Sequence, residues 1–269
     1  MKAQELLMPT DLKEVCKQFN TASFIHIPKT GGSYLNSLKD QTRSPGHRNN
    51  GQNIFHCLGH VCCLEPTTDR LNHLWPIHRM KNTSCLEMEQ FKNSFVFAMV
   101  RNPFDMLVSY YHHDDCSGWE GCRYDAARSY MKGSPYDFST FESFIRAYCD
   151  DGYGWHKPAL KDFLFFQIFH NSGKSMIPFV GKFEYMDICC NIFSKLVYGD
   201  DKIYMIQDAK NTGSAKPKKN YKDYYTPEMV RLVERKCRRE LDLFGYSFHG
   251  SDRRAIIDVR DVRYKNKFL

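Results

Sequence analysis

The chain has 269 residues, 42% hydrophobic and 14% aromatic, enough to bury one sizeable core and to exclude a disordered protein. Its net charge of +7 at pH 7 suits a polyanionic ligand, but the basic runs lack the interleaved aromatic platforms of nucleic-acid modules, so no nucleic-acid partner is expected. No run of about 18 apolar residues occurs, so no stable membrane insertion is expected.

Met1 to Asn20 reads as a short amphipathic helix without the apolar core of a secretory leader. A strand over 23–27 turns through two glycines into a helix over 32–40. Strands over 54–61 and 94–100 follow, the second a continuous apolar run of the kind buried on both faces of a parallel sheet, and then a helix over 103–113. Residues 40–53, 62–90 and 114–136 are irregular in pattern, and loops of that length usually serve as lids or substrate walls. Apolar spacing at Phe138, Phe141, Phe144, Ile145 and Tyr148 predicts a helix, with another over 158–170. A strand over 177–183, a helix over 185–197, a strand over 202–207 and a helix over 227–242 opening at Thr226-Pro227-Glu228 complete the pattern. The alternation predicts an α/β fold: a single domain with a central parallel sheet flanked by helices. The expected division is a helical extension over 1–21, the main domain over 22–250, and a basic surface tail over 251–269.

Two segments carry chemistry. Phe24-Ile25-His26-Ile27-Pro28-Lys29-Thr30-Gly31-Gly32-Ser33-Tyr34 reads as a P-loop-like strand–loop–helix phosphate site. At such a turn, backbone N–H groups and the helix dipole face an anion. Lys29 adds a cation, Gly31 and Gly32 allow close approach, and Thr30 and Ser33 add hydroxyl donors. In a nucleoside triphosphatase loop the lysine follows the last glycine; here it precedes both, which fits a transferring or bridging oxygen better than a metal-held phosphate. The second segment runs from Arg101-Asn102-Pro103 to Ser109. It places an arginine at a strand's carboxyl end and a hydroxyl about two helical turns on, so that both can reach one phosphate.

Eleven cysteines, an odd number that includes the adjacent pairs Cys62-Cys63 and Cys189-Cys190, point to a reducing compartment; Cys116 and Cys122 flank a loop that an oxidising one would bridge. The run His112-His113-Asp114-Asp115-Cys116 offers metal-ligand types, but consecutively rather than at ligand spacing, and no metal is expected.

Pro28 to Ser33 resembles the 5′-phosphosulfate loop of the PAPS-dependent sulfotransferases, and Arg101 to Ser109 resembles their 3′-phosphate motif. The likeness is strongest to the glycan-type branch, which includes carbohydrate and uronyl 2-O-sulfotransferases. Three further segments fit: Phe55 to Val61 is similar to a Gly-His segment between the cofactor motifs, Phe179 to Glu184 to a Gly-Arg-Phe-Glu strand, and Asn211 to Ser214 with Lys216, Lys218 and Tyr221 to a cofactor loop. The resemblance implies that PAPS (3′-phosphoadenosine 5′-phosphosulfate) is the co-substrate, held by Lys29, Thr30, Gly31, Gly32, Ser33, Tyr34, Arg101, Ser109, Asn211, Ser214 and Lys218. It carries a catalytic histidine onto His60; His56 and Glu184 are the alternative bases, and Lys29 would stabilise the leaving phosphate.

The acceptor would be a hydroxyl or amine of a small-molecule metabolite or natural product, or of a carbohydrate. Localisation would be cytoplasmic or otherwise soluble, or the Golgi lumen if an N-terminal anchor is removed. Composition leaves the oligomeric state open. Two alternatives stand beside this reading. A P-loop-like kinase or nucleotide-binding protein would need a magnesium carboxylate at a strand end, which neither 94–100 nor 177–183 supplies. A non-catalytic binding protein on the same scaffold is disfavoured by the joint presence of Lys29, Arg101 and Ser109.

Overall fold

The computed structural model describes residues 6–27, 30–40, 55–57, 92–113, 140–149, 168–169, 173–199, 204–205 and 219–263. The predicted helix 158–170 and the three predicted insertions lie wholly or largely outside these residues. The described strands are β1 (Ala22–Ile25), β2 (Lys39–Asp40), β3 (His56–Cys57), β4 (Phe95–Val100), β5 (Phe179–Lys182), β6 (Tyr204–Met205), β7 (Tyr246–Ser247), β8 (Gly250–Ser251) and β9 (Ile256–Asp258). The α-helices are α1 (Leu12–Cys16), α2 (Gly32–Ser37), α3 (Pro103–His113), α4 (Phe141–Cys149), α5 (Met186–Tyr198), α6 (Pro227–Lys236) and α7 (Arg238–Phe244).

The central sheet has the order β3-β1-β4-β5-β9, parallel except for β9, and helices flank it, as the α/β expectation requires. Its β4 run is two interleaved sets. Val96, Ala98 and Val100 face a core shared with Ile25, Phe104, Leu107, Val180 and the helices α4, α6 and α7. Phe95, Phe97 and Met99 face the other core, with Phe24, Phe55, Phe179 and α5. Phe97 sits at the centre of that second core, its ring 4.6 Å from Phe193 and 5.1 Å from Phe55. Successive strand side chains point to opposite faces, so a continuous apolar run is what a strand covered on both faces needs.

Four expectations change. The helix after the glycine turn stops at Ser37, with Leu38 extended, because Lys39–Asp40 pairs antiparallel with β6; both therefore lie in a separate ribbon. The predicted helix 227–242 begins where expected, with the Thr226 hydroxyl accepting from the Met229 N–H and Pro227 in the first turn, but breaks at Cys237. The N-terminal helical extension forms a helix only over Leu12–Cys16 among the described residues. The described part of the basic tail, 251–263, is not a surface segment: Ala255, Ile256, Ile257 and Val259 are buried, and β9 completes the sheet beside β5. Two of its arginines are paired, Arg254 to Asp252 and Arg260 to Asp258 and Asp11, so the net charge concealed an apolar strand.

Lys182, with 0% side-chain exposure at the end of β5, ties this segment down by donating to Ser251 Oγ at 2.7 Å and to Asp252. Burial lowers the Lys182 pKa despite its hydrogen bond to the Asp252 carboxylate, which opposes the shift. Burial works to raise the Asp252 pKa, but hydrogen bonds from Lys182 and Arg254 outweigh it and hold that carboxyl below the usual range. The stabilisation from Asp252 is therefore fully present above the unfolded carboxyl value of about 3.9 and is lost as pH falls through the lower folded value. Asp252→Asn should lower Tm at pH 7 by roughly 2–4 °C, the effect of about 1 kcal/mol in a domain of this size once solvent screening of a carboxylate 38% exposed is allowed for. In thermal melts followed by circular dichroism, the gap from wild type should close below about pH 4.

Candidate active site

The sheet order creates a crevice. From β1 the chain passes to β3 on one side, and from β4 to β5 on the other, so the connections leaving these two neighbours diverge at their carboxyl ends. In open α/β sheets ligands bind at such a switch point. The turn Thr30–Gly32 follows β1 there, and Arg101–Asn102 follows β4.

The glycine turn is shaped from beneath. Thr30 is buried, and its hydroxyl donates to the Ile27 carbonyl at 2.8 Å, so its proton serves the turn itself. Gly31 has φ +91°, and a Cβ there would lie 2.1 Å from the Met186 methyl and 3.1 Å from the Phe183 ring. A Cβ on Gly32 would lie 2.0 Å from the His26 ring. Gly31 is thus required by its left-handed backbone and Gly32 by the His26 ring, before any ligand is considered. The Tyr34 hydroxyl donates to Asp187 Oδ1, and burial first, then that carboxylate, pushes the phenol pKa up, so it remains a donor turned toward α5.

Arg101 is held on two sides. Its guanidinium lies 4.4 Å above the Phe183 ring, its Nε and Nη2 each approach Asp105 Oδ2 at 2.7 Å, and its side chain is 14% exposed. Asn102 is buried; its Oδ1 accepts from the Phe104 N–H at 3.1 Å, starting α3, while its Nδ2 donates to the carbonyls of Ser247 and Gly250. Ser109 lies half-buried on α3, about two turns beyond Arg101. The carboxylate of Glu184 accepts from the Asn102 N–H at 2.9 Å on one oxygen and from the Tyr246 hydroxyl at 2.8 Å on the other. Tyr246 is pushed up in pKa by burial and then by Glu184, which keeps it a donor at neutral pH; it also reaches the Val100 carbonyl at 3.2 Å.

His56 is exposed on β3, aligned with Ser23, on the far side of β1 from β4. Lys29, His60, Asn211, Ser214 and Lys218 lie outside the described residues, as do Cys116, Cys122 and the side chain of Ser33. Five described cysteines, Cys16, Cys149, Cys189, Cys190 and Cys237, are buried thiols; burial pushes Cys16 and Cys189 up to about 12 and thus makes them inert. No described helix is long and apolar enough to cross a membrane.

In the sequence, His26 lies in the first loop segment and Phe183 in the Gly-Arg-Phe-Glu-like strand, but neither had a role of its own there; Tyr246 offered no signal. Gly32→Ala should destabilise the fold by about 1–3 kcal/mol through overpacking against His26. In urea melts, that loss should shrink when measured in a His26→Ala background, because the two positions share one space.

A protein-family model described as the sulfotransferase family matches residues 19–247. Searches of curated proteins and of solved structures returned no match. The matched span runs from before β1 into β7 and contains both the glycine turn and the Arg101 turn at the switch point. With most of its length matched, including the crevice between the glycine turn and the Arg101 turn, the chain belongs to the sulfotransferase family.

Proposed function

We propose that this protein transfers a sulfuryl group from PAPS to a hydroxyl or amine of a small-molecule or carbohydrate acceptor. The observation that carries the reading is the placement of the glycine turn and Arg101 at the carboxyl ends of adjacent parallel strands, β1 and β4. Two anion-binding segments on neighbouring strand ends suit a ligand with two separated phosphate-type groups, which PAPS has.

In this reading the P-loop-like segment holds the 5′-phosphosulfate through Lys29, the N–H groups of Thr30 to Ser33 and the Ser33 hydroxyl. Arg101 and Ser109 take the 3′-phosphate, and Asn211, Ser214 and Lys218 cover the nucleotide. PAPS supplies the activated sulfuryl group. His60 removes the acceptor proton as the acceptor oxygen or nitrogen forms its bond to sulfur. The bond from sulfur to the bridging oxygen breaks, and its electron pair stays on the 5′-phosphate of adenosine 3′,5′-bisphosphate. Lys29 meets the charge that builds on that oxygen, where a preorganised cation lowers the barrier most.

Calorimetric titration with adenosine 3′,5′-bisphosphate should show binding to wild-type protein and about 10–100-fold weaker binding to Arg101→Ala, the loss of one or two charge-assisted hydrogen bonds. The absence of wild-type binding would overturn the proposal. His60→Ala should reduce turnover with PAPS and a competent acceptor about 10²–10⁴-fold while leaving affinity for the bisphosphate intact. If turnover persists, the base lies elsewhere, and His56 is the next histidine to replace.

A further inference from the structure

The end of β5 grips the Arg101 turn from two directions. Phe183 lies under the Arg101 guanidinium, and the next residue, Glu184, accepts the backbone N–H of Asn102. Tyr246 closes the ring by donating to Glu184 and standing within 3.2 Å of the Val100 carbonyl, while Asn102 Nδ2 reaches the hairpin carbonyls of Ser247 and Gly250. Val100, Arg101 and Asn102 are thus each held by a contact from 183–184 or from the β7–β8 hairpin, and Lys182 bolts that hairpin to β5 through Ser251.

We infer that Glu184 is a positioning residue for anion binding: with Tyr246 it holds the turn after β4 so that Arg101 presents its guanidinium toward the 3′-phosphate. The inference rests on the proposed role of Arg101 as the 3′-phosphate ligand. The physical ground is directional. A guanidinium discriminates by forming two parallel bonds in a fixed plane, so its contribution depends on the orientation of the backbone that carries it. A base, by contrast, must meet the acceptor with an oxygen able to take a proton. The two oxygens of Glu184 already receive an amide and a phenol, and those donors set the plane of the carboxylate.

A stabilising contact and a positioning one differ in their effect on ligand choice. The informative quantity is the ratio of affinities for adenosine 3′,5′-bisphosphate and adenosine 5′-monophosphate, which lacks the 3′-phosphate, measured by calorimetry on the full chain. In Glu184→Ala the ratio should fall about tenfold or more, toward that of Arg101→Ala, with monophosphate affinity little changed. The double variant should be no worse than Arg101→Ala alone, because both changes act through one group. Glu184→Gln, whose amide oxygen can still accept the Asn102 N–H, should restore the ratio to within about threefold of wild type and retain kcat. Should Glu184→Ala not fold, Tyr246→Phe, which removes one hydroxyl, must lower the ratio in the same direction.

A folded Glu184→Ala protein with the wild-type ratio would overturn the inference, as would equal weakening of both ligands. Loss of kcat in Glu184→Gln at an unchanged ratio would also overturn it, by making Glu184 the base. A wild-type protein with no preference for the bisphosphate would instead sink the proposed role of Arg101 itself.

Discussion

The site depends on the parallel pairing of β1 with β4. Ala22 to Ile25 lie in register with Phe95 to Ala98, although about 70 residues separate the two strands in the chain. That pairing puts the turn after β1 beside the turn after β4, and with β3 on one side and β5 on the other it opens the crevice between them. A slip of one residue would exchange the two faces of β4, sending Phe95 and Phe97 into the opposite core, which is packed around Val96, Ala98 and Val100. The phenylalanine face, with Phe24, Phe55, Phe179 and Phe193, therefore does more than supply apolar area. With the buried hydrogen bond from Ser94 Oγ to Ser23 Oγ at 2.7 Å, it selects one register.

The same constraint explains the crowding beneath the glycine turn. Met186 begins α5 immediately after β5 and the short turn that follows it, and His26 follows β1; the sheet brings both against Gly31 and Gly32. Glycine there is usually read as making room for an oxyanion. In this fold Gly31 has a positive φ and the His26 ring excludes a Cβ at Gly32, so the backbone shape of the turn is set by the protein itself. Preorganisation of that kind removes part of the ordering that a ligand would otherwise have to impose.

Arg101 is prepared in a similar way. Its pairing with Asp105 at 2.7 Å and its stacking on Phe183 hold a long, flexible side chain near one conformation, at the edge of a buried network that runs through Asn102, Glu184 and Tyr246 to the C-terminal hairpin. Beyond that hairpin, β9 covers the edge of β5 that would otherwise present unpaired backbone groups. The last strand of the described chain is thus linked through Lys182 and Asp252 to the element that frames the arginine.

What the sequence determined was local. The strand–turn–helix at 22–37, the buried run 95–100, the Asn102-Pro103 start of α3 and the Thr226-Pro227 start of α6 all rest on neighbouring residues: apolar runs, caps, and glycine where φ is positive. The glycine turn and the Arg101 turn were legible as strand-end turns for the same reason. Only the tertiary structure decided the order of the strands, the insertion of the charged C-terminal segment into the sheet, the early end of α2, and the partners of Glu184. Those partners, Asn102 and Tyr246, stand 82 and 62 residues away, and no pattern around Glu184 encodes them. A carboxylate at a strand end has the same local signature whether it takes a proton from a substrate or an N–H from a distant turn, and the choice is made by which chain segments the packed sheet brings within hydrogen-bonding distance.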